Sequence, residues 1–270
     1  MFRAIFPVVV LTASSAVSAQ SPEAAAVAEG ATIAAAVSRF DVAGIKLGVP
    51  IDQAAAQIQN VNPRLQVIDR VTTTVWPQDR NNPTAVPPPN APKTMSDVRA
   101  EVQEPGGGSE TVEIRSAVYP NSPVVVFVNR SVNYPMDKGP ASANVLAGLK
   151  QKYGEPSVND PSSAPSAILR WYFDEQGQLL QAGPARQVIP GCSAQAQVNA
   201  SNGKCASLTV IDAYLGAMPN GALTNLNVTI ASHRLTIATD EATDQFLIRT
   251  DAERTQQQQR DSGSRPVPKL

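Results

Sequence analysis

Apolar and polar residues alternate in several stretches of the chain, and a period of two predicts β-strands. These stretches are also rich in β-branched residues, which favour the pleated surface of a sheet. Phe40, Val42, Ile45 and Leu47 form a short example near the start of the chain. The longer ones cover residues 65–76, 97–103, 111–119, 123–134, 168–180, 207–215 and 226–238. Residues 97–134 are expected to form a three-stranded meander, with a hairpin turn in the PGGGSE segment.

Helical spacing appears between these groups of strands. A helix is predicted to follow Pro50, with Asp52 as its cap and Pro63 at its end. A second begins at Ser142 and ends at Gly154, and a third opens at Asp240. The order predicts an α+β fold in which two or three helices pack on an antiparallel sheet or sheets. One sheet and two sheets both remain open at this point.

The ends of the chain and one internal segment differ in composition from the rest. Residues 1–19 have a charged start, an apolar stretch and small residues before Gln20, which is typical of a cleaved secretory signal peptide. Residues 20–37 are a leader, either loose or helical, and residues 77–94 form a long proline-rich loop. The α+β domain is expected over 38–253, divisible into sub-modules 38–135 and 141–253, and the tail 254–270 is expected to be disordered.

The cysteines and the charge narrow the classes of function. Cys192 and Cys205 are the only cysteines and bracket a short polar loop, so an exported chain should join them in a disulfide. Without residues 1–19, the chain has 21 basic and 23 acidic residues. That balance argues against nucleic acid or an anionic membrane as a partner, since both bind clustered cations. The apolar part of the signal is too short to span a bilayer, and no cofactor or metal site is predicted.

The segment GIKLGVPIDQAAAQI poses the question whether its glycine turn holds a phosphate. It lacks the third glycine of a dinucleotide-binding loop, and Pro50 removes an N–H that a phosphate cradle would need. We therefore expect the turn to serve the fold. The segment resembles the start of small exported modules such as those of BamE and the β-lactamase inhibitor proteins, and LAGLKQKYGEPS resembles their Gly-x-Pro close. The resemblance implies a helix packed on an antiparallel sheet, with Val49 departing from the usual Met.

A second resemblance is to a class of exported proteobacterial α/β proteins. It rests on Arg130, Tyr134, Leu149, Lys152, Tyr153, Gly154, Pro156, Leu169 and Trp171. This resemblance implies export and no particular activity.

Few residues suggest catalysis. His233 is the only histidine and lies in a predicted strand beside Arg234, which favours a packed or solvent-facing role over that of a base. Glycoside hydrolysis needs two carboxyl groups instead, and the candidates are Asp69, Glu113, Asp174, Glu175 and Asp212. Asp212 lies among apolar neighbours in VIDAYL, which is the arrangement of some catalytic acids. The alternation of apolar and polar residues along a half-exposed strand is a simpler explanation of its position.

Two strand arginines, Arg130 and Arg170, are expected to pair with carboxylates across the sheet or to stack on aromatic rings. The predicted binding surface is the sheet face that carries Arg130, Trp171 and Phe173. The resulting hypothesis is a periplasmic or secreted, non-catalytic module that binds or protects another envelope protein. A carboxylate-dependent hydrolase of envelope polymers and a small-ligand carrier are the alternatives.

Overall fold

A computed structural model describes residues 21–77, 86–117, 123–136, 138–160, 165–181, 192–196 and 205–263. The predicted signal peptide and part of the proline-rich loop lie outside these residues. The helices are α1 (Pro22–Val37), α2 (Ile51–Val61), α3 (Ser142–Tyr153) and α4 (His233–Gly263). The strands are β1 (Asp41–Val42), β2 (Ile45–Lys46), β3 (Gln66–Thr74), β4 (Lys93–Glu104), β5 (Gly108–Ser116), β6 (Val125–Asn133), β7 (Val158–Asp160), β8 (Ala167–Phe173), β9 (Thr209–Ala217) and β10 (Leu223–Ser232).

The long strands form one antiparallel sheet of eight strands in the order β3-β4-β5-β6-β10-β9-β8-β7, and β1 and β2 form a separate hairpin. The predicted α+β class and the predicted meander are confirmed, and the eight main strands belong to one sheet. Gly106 and Gly107 have φ near +92° and +96°, as the β4–β5 turn requires. Among the described residues there are four helices, one more than the upper end of the prediction, because the leader is helical.

The chain contains the same arrangement twice. Helix α2 precedes the meander β3 to β6, and helix α3 precedes the meander β7 to β10. The last strands of the two meanders, β6 and β10, pair with each other at the centre of the sheet. Two four-stranded units are therefore joined side by side.

In each unit the residues just before the helix bond to the residues at the start of the final strand. In the first unit, the Val125 amide donates to the Val49 carbonyl at 2.8 Å and the Ile51 amide to the Pro123 carbonyl at 2.8 Å. In the second unit the equivalent bonds are from Leu223 to Pro140 at 3.0 Å and from Ser142 to Gly221 at 2.8 Å. This pair of bonds, which we call the clip, fixes each helix to its own meander.

The glycine turn before α2 is part of this clip. Gly48 has φ +71°, and its amide donates to the Val125 carbonyl at 2.7 Å. A Cβ atom there would lie 2.8 Å from the carbonyl carbon of Ala34 in α1, and closer still to its oxygen. The glycine thus permits a left-handed backbone and close approach of α1.

The two faces of the sheet have different surroundings. Cross-strand pairing places Val98, Ile114, Val128, Ile230 and Ile211 in one row, which continues to Trp171. All six side chains are buried. We call this side the helix face, because α2 contacts β4 and β5 on it and Tyr153 of α3 contacts Trp171.

The C-terminal helix differs most from the sequence prediction. Residues 233–238 were expected to continue a strand, whereas α4 begins at His233 directly after β10. The Ser232 hydroxyl accepts a hydrogen bond from the Leu235 amide at 3.2 Å and so caps the helix. Leu235, Ala238 and Ala242 are buried, and α4 packs along α1. This packing outweighs the β-propensity of the threonines and Ile237.

The helix also extends further than expected. A disordered tail was predicted from residue 254, whereas α4 continues to Gly263. Residues 264–270 lie outside the described residues. Beyond Arg254 the described side chains of α4 are exposed.

Candidate functional site

The opposite side of the sheet, which we call the polar face, carries hydrogen-bonding side chains across six strands. Cross-strand pairing defines two rows. The first contains Arg99, Glu113, Asn129, Thr229, Asp212 and Arg170, and the second contains Glu101, Thr111, Ser131, Asn227, Tyr214 and Ile168. Charged residues lie toward the edges of this face, and uncharged amides and hydroxyls lie at its centre.

The centre of the polar face lies where the two units meet. Asn129 pairs with Thr229, and Ser131 pairs with Asn227, on either side of the Arg130–Val228 pair. Exchange of the two units would therefore exchange Asn129 with Asn227 and Ser131 with Thr229. The four residues form a central quartet with approximate two-fold symmetry.

Hydrogen bonds join three members of this central quartet. The Asn129 amide group donates to the Thr229 hydroxyl at 2.7 Å and to the Asn227 side-chain oxygen at 3.1 Å. The Thr229 hydroxyl donates to the same oxygen at 3.0 Å. Asn129 and Thr229 are buried, whereas Ser131 and Asn227 are half-buried. The buried pair holds β6 in register with β10, and the half-buried pair can reach a ligand.

Residues 192–196, which we call the strap, lie over one end of the polar face. The predicted disulfide between Cys192 and Cys205 is present and ties the strap to the residues before β9. The Tyr172 hydroxyl donates to the Cys192 carbonyl at 2.9 Å, and the Ala194 amide donates to the Asp212 carboxylate at 2.9 Å. The strap is thus held by the sheet on which it lies.

Asp212 acts as an anchor for the strap. Its other carboxylate oxygen accepts a hydrogen bond from Arg170 Nε at 3.0 Å, so the predicted cross-strand ion pair is confirmed for Arg170. Burial raises the pKa of Asp212, while the Ala194 amide and Arg170 oppose that rise. The apolar neighbours of Asp212 in the sequence lie on the helix face, and the carboxylate points to the polar face.

His233 also holds the strap. Its Nε2 lies 3.0 Å from the Ser193 carbonyl oxygen, and only 3% of the residue is exposed. Burial lowers the pKa of His233, although the Ser193 carbonyl favours the protonated ring. A buried ring whose Nε2 contacts a backbone carbonyl has a packing role, which is one of the two roles, packed or solvent-facing, that the sequence favours.

The five candidate acids of a hydrolase lie apart or are occupied. Glu113 and Asp212 share a row but are separated by three strand spacings, about 14 Å, which exceeds the separation that glycosidases use. Glu113 pairs with Arg115 at 2.7 Å. Asp174 accepts two backbone amides in the β8 turn, Glu175 pairs with Arg234, and Asp69 lies on edge strand β3.

The three residues of the predicted binding surface, Arg130, Trp171 and Phe173, lie on the helix face. Trp171 is fully buried, and its indole N–H donates to the Gly154 carbonyl at 2.8 Å. Phe173 is 7% exposed and packs on Phe40 with ring centroids 4.6 Å apart. Arg130 pairs at 2.7 Å with buried Glu110, which confirms its predicted cross-strand pairing. Tyr153 of α3 packs on Trp171, and Phe40, which follows α1, packs on Phe173, so both residues are buried and not on an open surface.

Two clefts flank the strap on the polar face and share Gln195 between them. One, of about 300 Å³, is lined by Phe127, Arg115 and His233 among others. The second, of about 260 Å³, is lined by Tyr214, Arg170, Asn227 and Ile168 among others. Tyr214 is 39% exposed and is the most exposed aromatic residue of this face. The sequence signal for this surface is the Asn-x-Ser/Thr pattern that occurs in both β6 and β10. Any solvated strand can show the same alternation of residues, so the pattern alone does not identify a binding surface.

Within the described residues, no group of three or more histidine, cysteine, aspartate or glutamate side chains could hold a metal ion. None of the described helices has the length and apolarity that crossing a membrane requires. Comparison of the chain with protein-family models, with curated proteins and with solved structures found no match.

Proposed function

We propose that the protein is an exported, non-catalytic module of the bacterial periplasm that binds another envelope protein through the polar face. Export rests on the signal-like start of the sequence. The disulfide supports it, because such bonds persist in oxidising compartments. Four of the five candidate carboxylates, Glu113, Asp174, Glu175 and Asp212, already serve in ion pairs or turns, which weakens the hydrolase alternative.

The observation that carries this proposal is the composition of the polar face around the central quartet. Asn, Ser, Thr and one exposed tyrosine, Tyr214, lie on a rigid eight-stranded sheet. Antibody paratopes are likewise rich in Tyr, Ser and Asn, because these residues combine adaptable hydrogen bonds with aromatic contact area at a small entropic cost. The strap adds a further contact element whose conformation is already fixed.

The charges of the polar face indicate the chemistry of the partner. Arg99, Arg115 and Arg170 each lie within ion-pair distance of a carboxylate on this face. An attractive surface of one sign is therefore absent from the described part of this face. The partner should present a neutral, hydrogen-bonding surface, and its affinity should change little with ionic strength.

A photo-crosslinking experiment tests the proposal. The mature chain carries p-benzoylphenylalanine in place of Tyr214, is mixed with native envelope extract, and is irradiated at low and at high salt. The matched control carries the same group in place of Ile248, which is 63% exposed on α4. We expect a discrete crosslinked protein at position 214 at both salt concentrations, and none at position 248.

A binding measurement with the crosslinked protein completes the test. Tyr214→Ala should weaken its binding about tenfold or more, as loss of a central aromatic contact does, whereas Ile248→Ala should leave it unchanged. Equal crosslinking at the two positions, or no crosslinked protein at either salt concentration, would refute the assignment of the polar face.

A further inference from the structure

A third cleft of the molecule, separate from the polar face, has the features of a small-molecule site. It lies between strand β1, the end of helix α3 and the turn after β8, and its volume is about 270 Å³. We call it the aromatic cleft. Its lining residues are Arg39, Phe40, Asp41, Lys152, Tyr153 and Phe173.

Three aromatic side chains give this cleft an apolar floor. Phe40, Tyr153 and Phe173 line the cleft and are each less than a tenth exposed. The Phe40 and Phe173 rings contact each other, and Tyr153 packs on Trp171 with ring centroids 5.5 Å apart. The Tyr153 hydroxyl donates to the Asp41 carbonyl at 2.7 Å, which removes its polar group from the floor. An apolar ligand body would find a rigid surface here.

The charged groups of the aromatic cleft leave an excess of one positive charge. Lys152 Nζ lies 2.6 Å from the Asp41 carboxylate, so these two charges compensate each other. Arg39 has no carboxylate within 4 Å in the part of the chain that the structure describes. Its Nη2 donates to the carbonyls of Gln176 and Gly177, and its guanidinium lies 4.8 Å from the Phe40 ring centroid.

Gly177 determines where Arg39 can lie. This glycine has φ +69° in the turn after β8. A Cβ atom on it would lie 2.5 Å from Cζ of Arg39, and closer to Nη2. The guanidinium of this exposed side chain therefore lies in space that glycine leaves open, and it contacts two carbonyls and the Phe40 ring beside the aromatic floor.

From this arrangement we propose that the aromatic cleft binds a carboxylate attached to a small apolar or aromatic body. The guanidinium has five N–H donors, of which the two carbonyls use only part, and it suits the two oxygens of a carboxylate. The volume lies just below the usual range of ligand pockets, so a single ring or a short chain fits. Such a group is found in a free acid and also at the C-terminus of a polypeptide that ends in an apolar residue.

Nuclear magnetic resonance titration of the mature full chain tests the site with three probes. The probes are 3-phenylpropionate, the tripeptide Gly-Gly-Phe with a free carboxylate, and the same tripeptide as its C-terminal amide. We expect shifts in the resonances of Phe40, Tyr153 and Phe173 with a free carboxylate and at least tenfold weaker binding of the amide. The first two probes distinguish the sources: tighter binding of the tripeptide indicates a chain terminus, and tighter binding of 3-phenylpropionate a free acid.

Variants then assign the binding to Arg39. Arg39→Gln removes the charge, and Gly177→Ala displaces the guanidinium without changing any charge. Each should weaken binding of the preferred probe at least tenfold, which is about the effect of one charge-assisted hydrogen bond. Arg64→Gln, which changes an exposed arginine paired with Glu104, is the control and should bind like the unaltered chain.

The proposal fails if none of the three aromatic resonances shifts at 10 mM of either carboxylate probe. It also fails if the amide binds as well as the acid, a comparison that needs no variant, or if folded Arg39→Gln binds unchanged. Circular dichroism establishes whether each variant is folded. None of these outcomes depends on the polar face, so the two proposals are tested separately.

Discussion

Replacement of Gly139 by alanine tests whether the clip of the second unit is required for stability. A Cβ atom on Gly139 would lie 2.7 Å from the carbonyl carbon of Leu223, and closer to its oxygen. Gly139 is not among the glycines with positive φ, so alanine meets no backbone penalty and the cost is steric. The contact is far inside van der Waals distance, and backbone rather than a flexible side chain must move.

The size of the effect follows from the bonds at this position. Separation of the two segments strains or breaks the bonds from Leu223 to Pro140 and from Ser142 to Gly221. Each such bond contributes about 1 kcal/mol, and overpacking of a tight site costs a further 1–3 kcal/mol. If both bonds are lost, the free energy of unfolding should fall by about 3–5 kcal/mol.

Urea unfolding followed by far-ultraviolet circular dichroism measures this change, and Gly148→Ala is the matched control. Gly148 lies within α3, and a Cβ atom there meets nothing within 4 Å. Alanine at an exposed helical position should raise the free energy of unfolding by about 0.5–1 kcal/mol. Glycine-to-alanine substitutions at two positions nine residues apart are thus expected to change the free energy of unfolding in opposite directions. A Gly139→Ala variant within 0.5 kcal/mol of the unaltered chain would contradict the role of the clip.

Three further predictions concern the strap and the central quartet. Reduction of the disulfide between Cys192 and Cys205 should lower the free energy of unfolding by about 3 kcal/mol, because the loop that it closes gains entropy in the unfolded chain. Urea unfolding with and without dithiothreitol measures this change, and an unchanged midpoint would refute the prediction. Because the pKa of His233 is lowered in the folded state, the unfolded chain binds more protons below the ordinary value of 6.5. The contribution of His233 to the free energy of unfolding should therefore be lost on acidification from pH 7 to pH 5. The loss should be at most about 1.4 kcal/mol per pH unit. His233→Gln should make that loss smaller, and an equal loss in the variant would exclude the residue as its source. Asn129→Asp replaces the donor of two hydrogen bonds in the central quartet with a charge and should lower the free energy of unfolding by about 2–4 kcal/mol. The control, Asn133→Asp, lies at an exposed position of the same strand and should change it by less than about 0.5 kcal/mol. Equal effects of the two substitutions would contradict a structural role for the quartet.

Much of the fold follows from local sequence patterns. The strands of the first meander, the hairpin at Gly106 and Gly107, and helix α3 with its end at Gly154 all lie where alternation, turn residues and caps predict them. The disulfide was predictable because the chain has no other cysteines to pair. These features depend on residues that are near each other in sequence.

The candidate site was less predictable, because it depends on which side of the sheet the helices cover. Alternation places Trp171 and Phe173 on one side of β8, but the register from β6 to β8 decides that Arg130 shares that side, and the helices decide whether it is exposed. In β8 the difficulty is greater, since Trp171, Tyr172 and Phe173 are consecutive and all buried. Trp171 packs against Tyr153 of α3 and Phe173 against Phe40 after α1, whereas Tyr172 lies under the strap, where its hydroxyl donates to the Cys192 carbonyl.

By itself, the sequence determined the positions of most strands, both ends of α3 and the pairing of the cysteines, because backbone preference and side-chain period act over a few residues. Only the tertiary structure decided that two similar units form one sheet through β6 and β10, and that α4 starts at His233 against α1. It also decided that Asp212 and His233 hold the strap. Each of these outcomes is set by contacts between residues that are distant in sequence. These contacts bury Asp212 and His233 and thereby shift the pKa of each side chain.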